Sequence, residues 1–93
     1  GSTFGGYPLA CVAGTAALKV FEEEKLAEQS ARKGKILKKR IQDIAKRSSH
    51  VKEVRGRGLF IGIEAKDGNA MDFCRKLLKL GLIVNDSHGH TIR

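Results

Sequence analysis

No stretch of this 93-residue sequence approaches the ~18 consecutive apolar residues that a membrane-crossing helix needs, so no span is expected. The start is glycine-rich and carries no basic stretch ahead of an apolar one, so no signal peptide is expected either. Cysteine is scarce. Cys11 and Cys74 lie far apart, no Cys-x-x-Cys occurs, and each falls among apolar residues on an expected helix. That argues against a structural zinc site and for two reduced, buried thiols in a cytosolic protein. His88 and His90 have only Asp86 beside them as a further ligand, so no metal site is expected. Aromatics are few, four phenylalanines and one tyrosine, and the only proline is Pro8. Acids are also in short supply: 10 against 18 lysines and arginines, a net charge of +8.

Such an excess of base invites a nucleic-acid reading, and the distribution of the charge tests it. Most of it lies in one segment, Arg32 to Arg47. There Leu26, Ser30, Gly34, Leu37, Ile41 and Ile44 recur in steps of three and four, the stripe of an amphipathic helix from Lys25 to about Arg47. Arg32, Lys35, Lys38 and Lys39 fall off the stripe, with Lys33 and Arg40 at its border. The basic run is therefore the solvated face of a helix. No aromatic side chain interleaves with it as a nucleic-acid groove would require, so nucleic acid is not the expected partner.

The rest of the chain is ordinary in hydrophobic and charged content, 41% and 30%. Pro8 to about Glu24 reads as a helix, rich in small residues (Ala10, Ala13, Gly14, Ala16, Ala17) that let another surface approach closely. Ser48 to His50 is a turn and Val51 to Arg55 a short strand. Gly56 and Gly58 mark a bulge or tight bend. Leu59 to Ala65 alternates, with Leu59, Ile61 and Ile63 on one face and Phe60, Gly62 and Glu64 on the other. Asn69 is expected to cap a helix with Ala70, Phe73, Cys74, Leu77 and Leu78 on one face, ended by Gly81 as a left-handed cap. Leu82 to Val84 reads as a strand, Asp86 to Gly89 as a turn, and Thr91 to Arg93 as the start of a further strand. Ending inside a strand leaves an open edge, which points to a segment of a longer protein.

The opening Gly1-Ser2-Thr3-Phe4-Gly5-Gly6-Tyr7-Pro8-Leu9 combines hydroxyls, free backbone N–H groups and glycines ahead of a helix, a combination able to hold an anion such as phosphate. Taken whole, through Ala10-Cys11, it resembles the Gly-Ser-Thr-(Phe/Tyr)-Gly-Gly-Asn-Pro-Leu-(Ala/Gly)-Cys segment of class III aminotransferases, enzymes dependent on pyridoxal 5'-phosphate. The similarity continues through Val54-Arg55-Gly56-Arg57-Gly58-Leu59 and Ser87-His88-Gly89-His90-Thr91-Ile92-Arg93, and covers essentially the whole chain in order. One departure is Tyr7, where the family usually has Asn. Tyrosine cannot accept the capping amide hydrogen bond, a loss of about 1 kcal/mol.

The resemblance implies an α/β architecture with an α+β small domain. A long N-terminal helix or helix pair leads into a small, mainly antiparallel sheet with a packed helix, part of a pyridoxal-phosphate-dependent transferase fold. Residues 1–24 would end the large domain and form the connecting helix; 25–93 would form the C-terminal small domain, incomplete at its end. The Schiff-base lysine and the aspartate on the pyridine nitrogen would lie upstream of Gly1, so this segment would hold no catalytic residue and be inactive alone. Ser2 and Thr3 match the pair that contacts the cofactor phosphate of the partner subunit in a cytoplasmic homodimer. Arg93 matches the arginine that binds a substrate carboxylate. The substrates implied are amino acids and 2-oxo acids. Ser87 to Arg93 leans to the ornithine-using members, which pass the δ-amino group to 2-oxoglutarate; Leu82-Ile83-Val84-Asn85 leans to the acetylornithine-using ones. Two further alternatives are a small basic nucleic-acid-binding module and an inactive fragment that associates with a full-length subunit.

Overall fold

A computed structural model describes all residues, Gly1–Arg93. Three helices and four short strands follow in the order α1 (Pro8–Glu23), α2 (Leu26–Ala45), β1 (Val51–Arg57), β2 (Phe60–Ala65), α3 (Ala70–Lys79), β3 (Asp86–Ser87) and β4 (Thr91–Ile92). The strands form one antiparallel sheet in the order β1-β2-β4-β3. The α+β arrangement expected from the sequence is the one found.

Pro8 opens α1 at its first turn, where the missing N–H costs nothing. Lys25 breaks the path between α1 and α2 by adopting a left-handed conformation, φ 50°. Such a conformation is costly for a residue with a Cβ. The Gln29 amide helps to hold the break by donating to the Glu24 carbonyl at 2.8 Å, a group left without a helical partner. No residue of α1 is buried: Leu9, Val12 and Leu18 are each about two-thirds exposed. Cys11, on the same helix, is exposed. The expectation of two buried thiols therefore holds for Cys74 and fails for Cys11, because nothing in the chain covers α1.

α2 lies along the β1–β2 hairpin, and the two backbones meet. Gly34 is the buried residue of α2, and a Cβ there would overlap the Gly58 carbonyl. Gly58 itself has φ 55°, and a Cβ on it would press on the Ser30 hydroxyl. That hydroxyl accepts a hydrogen bond from the Leu59 N–H at 3.2 Å. One helical turn beyond Gly34, the Lys38 ammonium donates to the Gly56 carbonyl at 3.2 Å. The contact line thus follows the i+4 row Leu26, Ser30, Gly34, Lys38, and Ile41 continues it. This corrects the stripe read from the sequence. Leu37 and Ile44 are exposed, and Lys38, placed off the stripe, lies half-buried on the hairpin. The Gly34–Gly58 contact pulls inward the row of α2 that contains Gly34 and Lys38.

The apolar side of the sheet carries Ile61, Ala65 and Ile92, and α3 packs on it through Ala70 and Cys74, with Ile63, Phe73, Leu77 and Val84 around them. Asn69 stands at the N-cap of α3, but its amide turns to Asp72 Oδ2 at 3.1 Å and caps no backbone N–H. Gly81, φ 84°, ends α3 as expected. Gly81 N–H donates to the Leu78 carbonyl and Leu82 N–H to that of Leu77, the paired bonds of a Schellman stop. Leu82 to Val84 does not form the expected strand. The Schellman turn uses Leu82, and Ile83 is 86% exposed. Pairing begins at Asn85, which exchanges two backbone bonds with Arg93 (2.8 and 3.0 Å), and runs into Asp86–Ser87, read from the sequence as turn.

Gly34→Ala is expected to destabilise the fold by about 2 kcal/mol. Overpacking against a backbone carbonyl costs roughly 1–3 kcal/mol or more, and exceeds alanine's helix advantage of about 1 kcal/mol. Urea unfolding of the protein carrying this chain measures it, and an unchanged midpoint would contradict the backbone contact.

Candidate functional site

On the sheet face opposite the core, alternation brings Phe60, Gly62 and Glu64 of β2 to one side. Cross-strand register adds Arg55, opposite Gly62, and Thr91, opposite Glu64. A register shift between Val51 and Glu53 leaves Lys52 as the extra residue of a bulge, and its side chain reaches this same face.

Glu64 is the acid at the centre of this face. Its two oxygens accept from Lys52 Nζ at 2.6 Å and Arg55 Nη1 at 2.6 Å. The hydrogen bond from Lys52, then that from Arg55, lower its pKa to about 2, against the smaller opposing effect of burial. Arg55 also holds Glu53 at 3.1 Å and lies 3.5 Å from the Thr91 hydroxyl. Its own pKa is raised, chiefly by the hydrogen bond to Glu64. Arg55 is thus a guanidinium already committed to carboxylates of the chain.

Arg93 differs. It extends β4 on the same face and pairs with no carboxylate. Its guanidinium carbon sits 6.0 Å from the centre of the Phe60 ring. Between the two guanidiniums runs an open groove of about 320 Å³, lined by Arg55, Phe60, Gly62, Ser87, Thr91 and Arg93 among others. Gly62 forms part of its floor, and a Cβ there would meet the Thr91 methyl at 3.3 Å. A groove with one unpaired guanidinium suits a carboxylate ligand, which the planar fork can bind through two parallel hydrogen bonds.

Ser2 and Thr3 lie elsewhere, in the turns ahead of α1, and do not line the groove. Gly5 N–H donates to the Ser2 carbonyl (3.2 Å) and Tyr7 N–H to that of Phe4 (3.1 Å). The hydroxyls of Ser2 and Thr3 are exposed and engage no other group of the chain. Tyr7 occupies the N-cap with no side-chain cap bond, as its chemistry requires. A loop of uncommitted hydroxyl and amide donors without a carboxylate fits one side of a phosphate.

His88 adopts φ 58° in the tight turn between β3 and β4 and touches the Ser87 hydroxyl at 3.0 Å, a turn role. Cys74 has its pKa raised, first by burial and then by the Asp86 carboxylate. Its thiol is held protonated and inert. The chain contains no cluster of three or more metal-ligating side chains, and no helix long and apolar enough to cross a membrane. Sequence reasoning missed Arg55, Glu64 and Phe60 as neighbours of Arg93. Alternation on β2 was a signal for two of them, but the register that joins three strands was not available.

Fold and site together define an α+β domain that presents a cationic, carboxylate-sized groove and, separately, a donor-rich loop. The whole chain, residues 1–93, matches the family described as aminotransferase class-III. It is 46% identical over its full length to ornithine aminotransferase of Bacillus subtilis (strain 168), and 45% identical to that of Macrococcus caseolyticus (strain JCSC5402). It spans 22% and 23% of their lengths. Superposition on acetylornithine aminotransferase from Elizabethkingia anophelis gives a TM-score of 0.93 at 37% identity. With Plasmodium falciparum ornithine delta-aminotransferase the score is 0.92 at 41%. Each superposition covers 100% of this chain and 24% of the other. The chain belongs to the class III aminotransferases, and its helices and sheet are the corresponding portion of that fold.

Glu64 supplies a pH dependence. Its pKa in the folded protein, about 2, lies below the ordinary value of 4.5. Its contacts therefore stabilise the fold fully above about pH 4.5, and that contribution is lost as pH falls through about 2. The gap in denaturation midpoint between the wild type and Glu64→Gln should narrow as pH drops across this window; a gap independent of pH would contradict the Lys52–Glu64–Arg55 network.

Proposed function

We propose that this chain is part of a pyridoxal-phosphate-dependent transaminase that moves the δ-amino group of ornithine to 2-oxoglutarate. The observation that carries the reading is the pairing of an unpartnered Arg93 in an open groove with a sequence 46% identical to an ornithine aminotransferase. Residues 1–24 end the large domain and connect it; 25–93 form the small domain. The left-handed break at Lys25 lies at this boundary. The exposed apolar face of α1 then packs on the remainder of the enzyme. The acetylornithine reading draws support from the superposition at TM-score 0.93, but at 37% identity. Cytoplasmic work suits the free thiols of Cys11 and Cys74.

When bound, pyridoxal phosphate supplies the electron sink and the carrier of the amino group. The residues of this chain hold and orient. Ser2 and Thr3 donate hydrogen bonds to the phosphate held by the other subunit of a homodimer. Arg93 clamps a carboxylate of the amino-acid or 2-oxo-acid substrate, which fixes the reacting end relative to the cofactor. Arg55 is less suited to that task, because its Nη1 already donates to Glu64 and Glu53 and two carboxylates of the chain balance its charge. The Schiff-base lysine comes from elsewhere in the enzyme, so the 93 residues alone turn over no substrate; transamination by the purified segment would refute this.

Two substitutions in the full-length enzyme test the binding roles. Thr3→Ala should weaken cofactor affinity roughly tenfold or more, the size of a hydrogen bond to a charged group. Spectrophotometric titration of the apoenzyme reads it, with Thr3→Ser retaining most of the affinity. Arg93→Lys keeps the charge and loses the fork. It should raise KM for 2-oxoglutarate by about tenfold and leave cofactor affinity unchanged. An unchanged KM would remove Arg93 from the substrate site.

A further inference from the structure

Phe60 is a large aromatic residue that the core does not use. It is 69% exposed at the start of β2, on the face opposite Ile61 and Ile63. No apolar cluster includes it. Arg57 stands directly across the hairpin from it, and the Arg93 guanidinium carbon lies 6.0 Å from its ring centre, within the range of a cation–π contact. The sheet produces this meeting. The β2–β4 register pairs Ile63 with Ile92 and Glu64 with Thr91, so its continuation sets Arg93 opposite Gly62. Gly62 has no side chain to stand between Phe60 and Arg93, and the guanidinium can lean across it to the ring. The backbone of Arg93 is fixed by its two bonds to Asn85. Among these 93 residues no acid pairs with its side chain, and Glu64, on the same face, is taken by Lys52 and Arg55.

We infer that Phe60 is a positioning residue: its ring is the platform that holds the Arg93 guanidinium flat over the groove, with the donor fork directed at the incoming carboxylate. This rests on the reading of Arg93 as the carboxylate-binding residue. A ring fits the task better than an acid would. It restrains a flexible side chain through one face and consumes none of its five N–H donors, so the donors stay free for the ligand. It also competes weakly, since an exposed cation–π contact is worth only a few-fold in binding.

The test uses the full-length holoenzyme with Phe60→Leu, Phe60→Tyr and Arg93→Ala, each assayed for kcat and KM with 2-oxoglutarate and for thermal stability. Phe60→Leu keeps apolar bulk and removes the π face. It should raise KM roughly two- to fivefold with kcat and melting temperature near wild type, and Phe60→Tyr should restore wild-type KM. In Arg93→Ala the KM is already high, and adding Phe60→Leu should raise it no further. If Arg93→Ala raises KM but Phe60→Leu does not, the platform role is overturned and the carboxylate reading of Arg93 stands. If Phe60→Leu and Phe60→Tyr both raise KM, or if Phe60→Leu raises it equally with and without Arg93, the ring does not act through Arg93 and the inference fails. If Arg93→Ala leaves KM unchanged, the carboxylate reading fails and takes the inference with it.

Discussion

The close approach of α2 to the β1–β2 hairpin, backbone against backbone at Gly34 and Gly58, is the constraint on which the rest of the structure depends. At ordinary helix-to-sheet spacing the short Ser30 side chain could not accept from Leu59 N–H; Lys38 adds its bond to the Gly56 carbonyl. With those bonds made, the turn between β1 and β2 is fixed, and the register of the hairpin follows. Register then decides which side chains meet, since a slip of one residue would exchange the two faces of the sheet. Arg55 stands opposite Gly62, and Glu64 opposite Thr91, because the hairpin is held where it is.

The polar face of the sheet divides its charges by availability. Four of its charged groups satisfy one another: Lys52 and Arg55 converge on Glu64, Arg55 also holds Glu53, and the depressed pKa of Glu64 records how strongly its anionic form is held. Arg93 is in no ion pair within the chain and stands beside an aromatic ring. A site for an external anion requires this asymmetry, because a guanidinium already paired inside the protein would have to give up one carboxylate to bind another. The β1 bulge contributes by carrying Lys52 onto Glu64's face.

α1 and the loop before it follow another logic. Within the chain, α1 meets α2 and buries none of its residues, although its sequence is apolar on the stripe that would face a partner. The Ser2 and Thr3 hydroxyls likewise have no partner among these residues. Both features fit a chain that spans about a quarter or less of the relatives it matches. In the proposed enzyme the loop and helix serve surfaces that the small domain does not contain. The concentration of base on α2 has a simpler account. Lys46 pairs with Asp43, Lys38 serves the hairpin, and the other bases of the run stand in solvent without carboxylate partners.

Much of this was legible in local sequence. Alternation in Phe60–Ala65 and the i, i+3, i+4 spacing of Ala70, Phe73, Cys74 and Leu77 set strand and helix, because each pattern matches one backbone period. Pro8 and Gly81 marked ends through their own backbone preferences. The Ser-Thr and Thr-Ile-Arg motifs pointed to the candidate binding residues. Errors arose where a neighbour from another part of the chain decides the outcome. Ile44 and Lys38 exchanged environments because contact at Gly34 selected one row of α2. Asn69 turned from capping to Asp72, and the strand expected at Leu82 began at Asn85, where Arg93 supplied its partner. Cys11 is apolar in context, yet burial depends on what covers it. The sequence by itself determined most of the elements and the residue types that the proposed function offers to a phosphate and a carboxylate. Only the tertiary structure decided that Arg55 is spent on Glu64 while Arg93 remains free beside Phe60, because pairing of charges across three strands depends on register, and register depends on the packing of a distant helix.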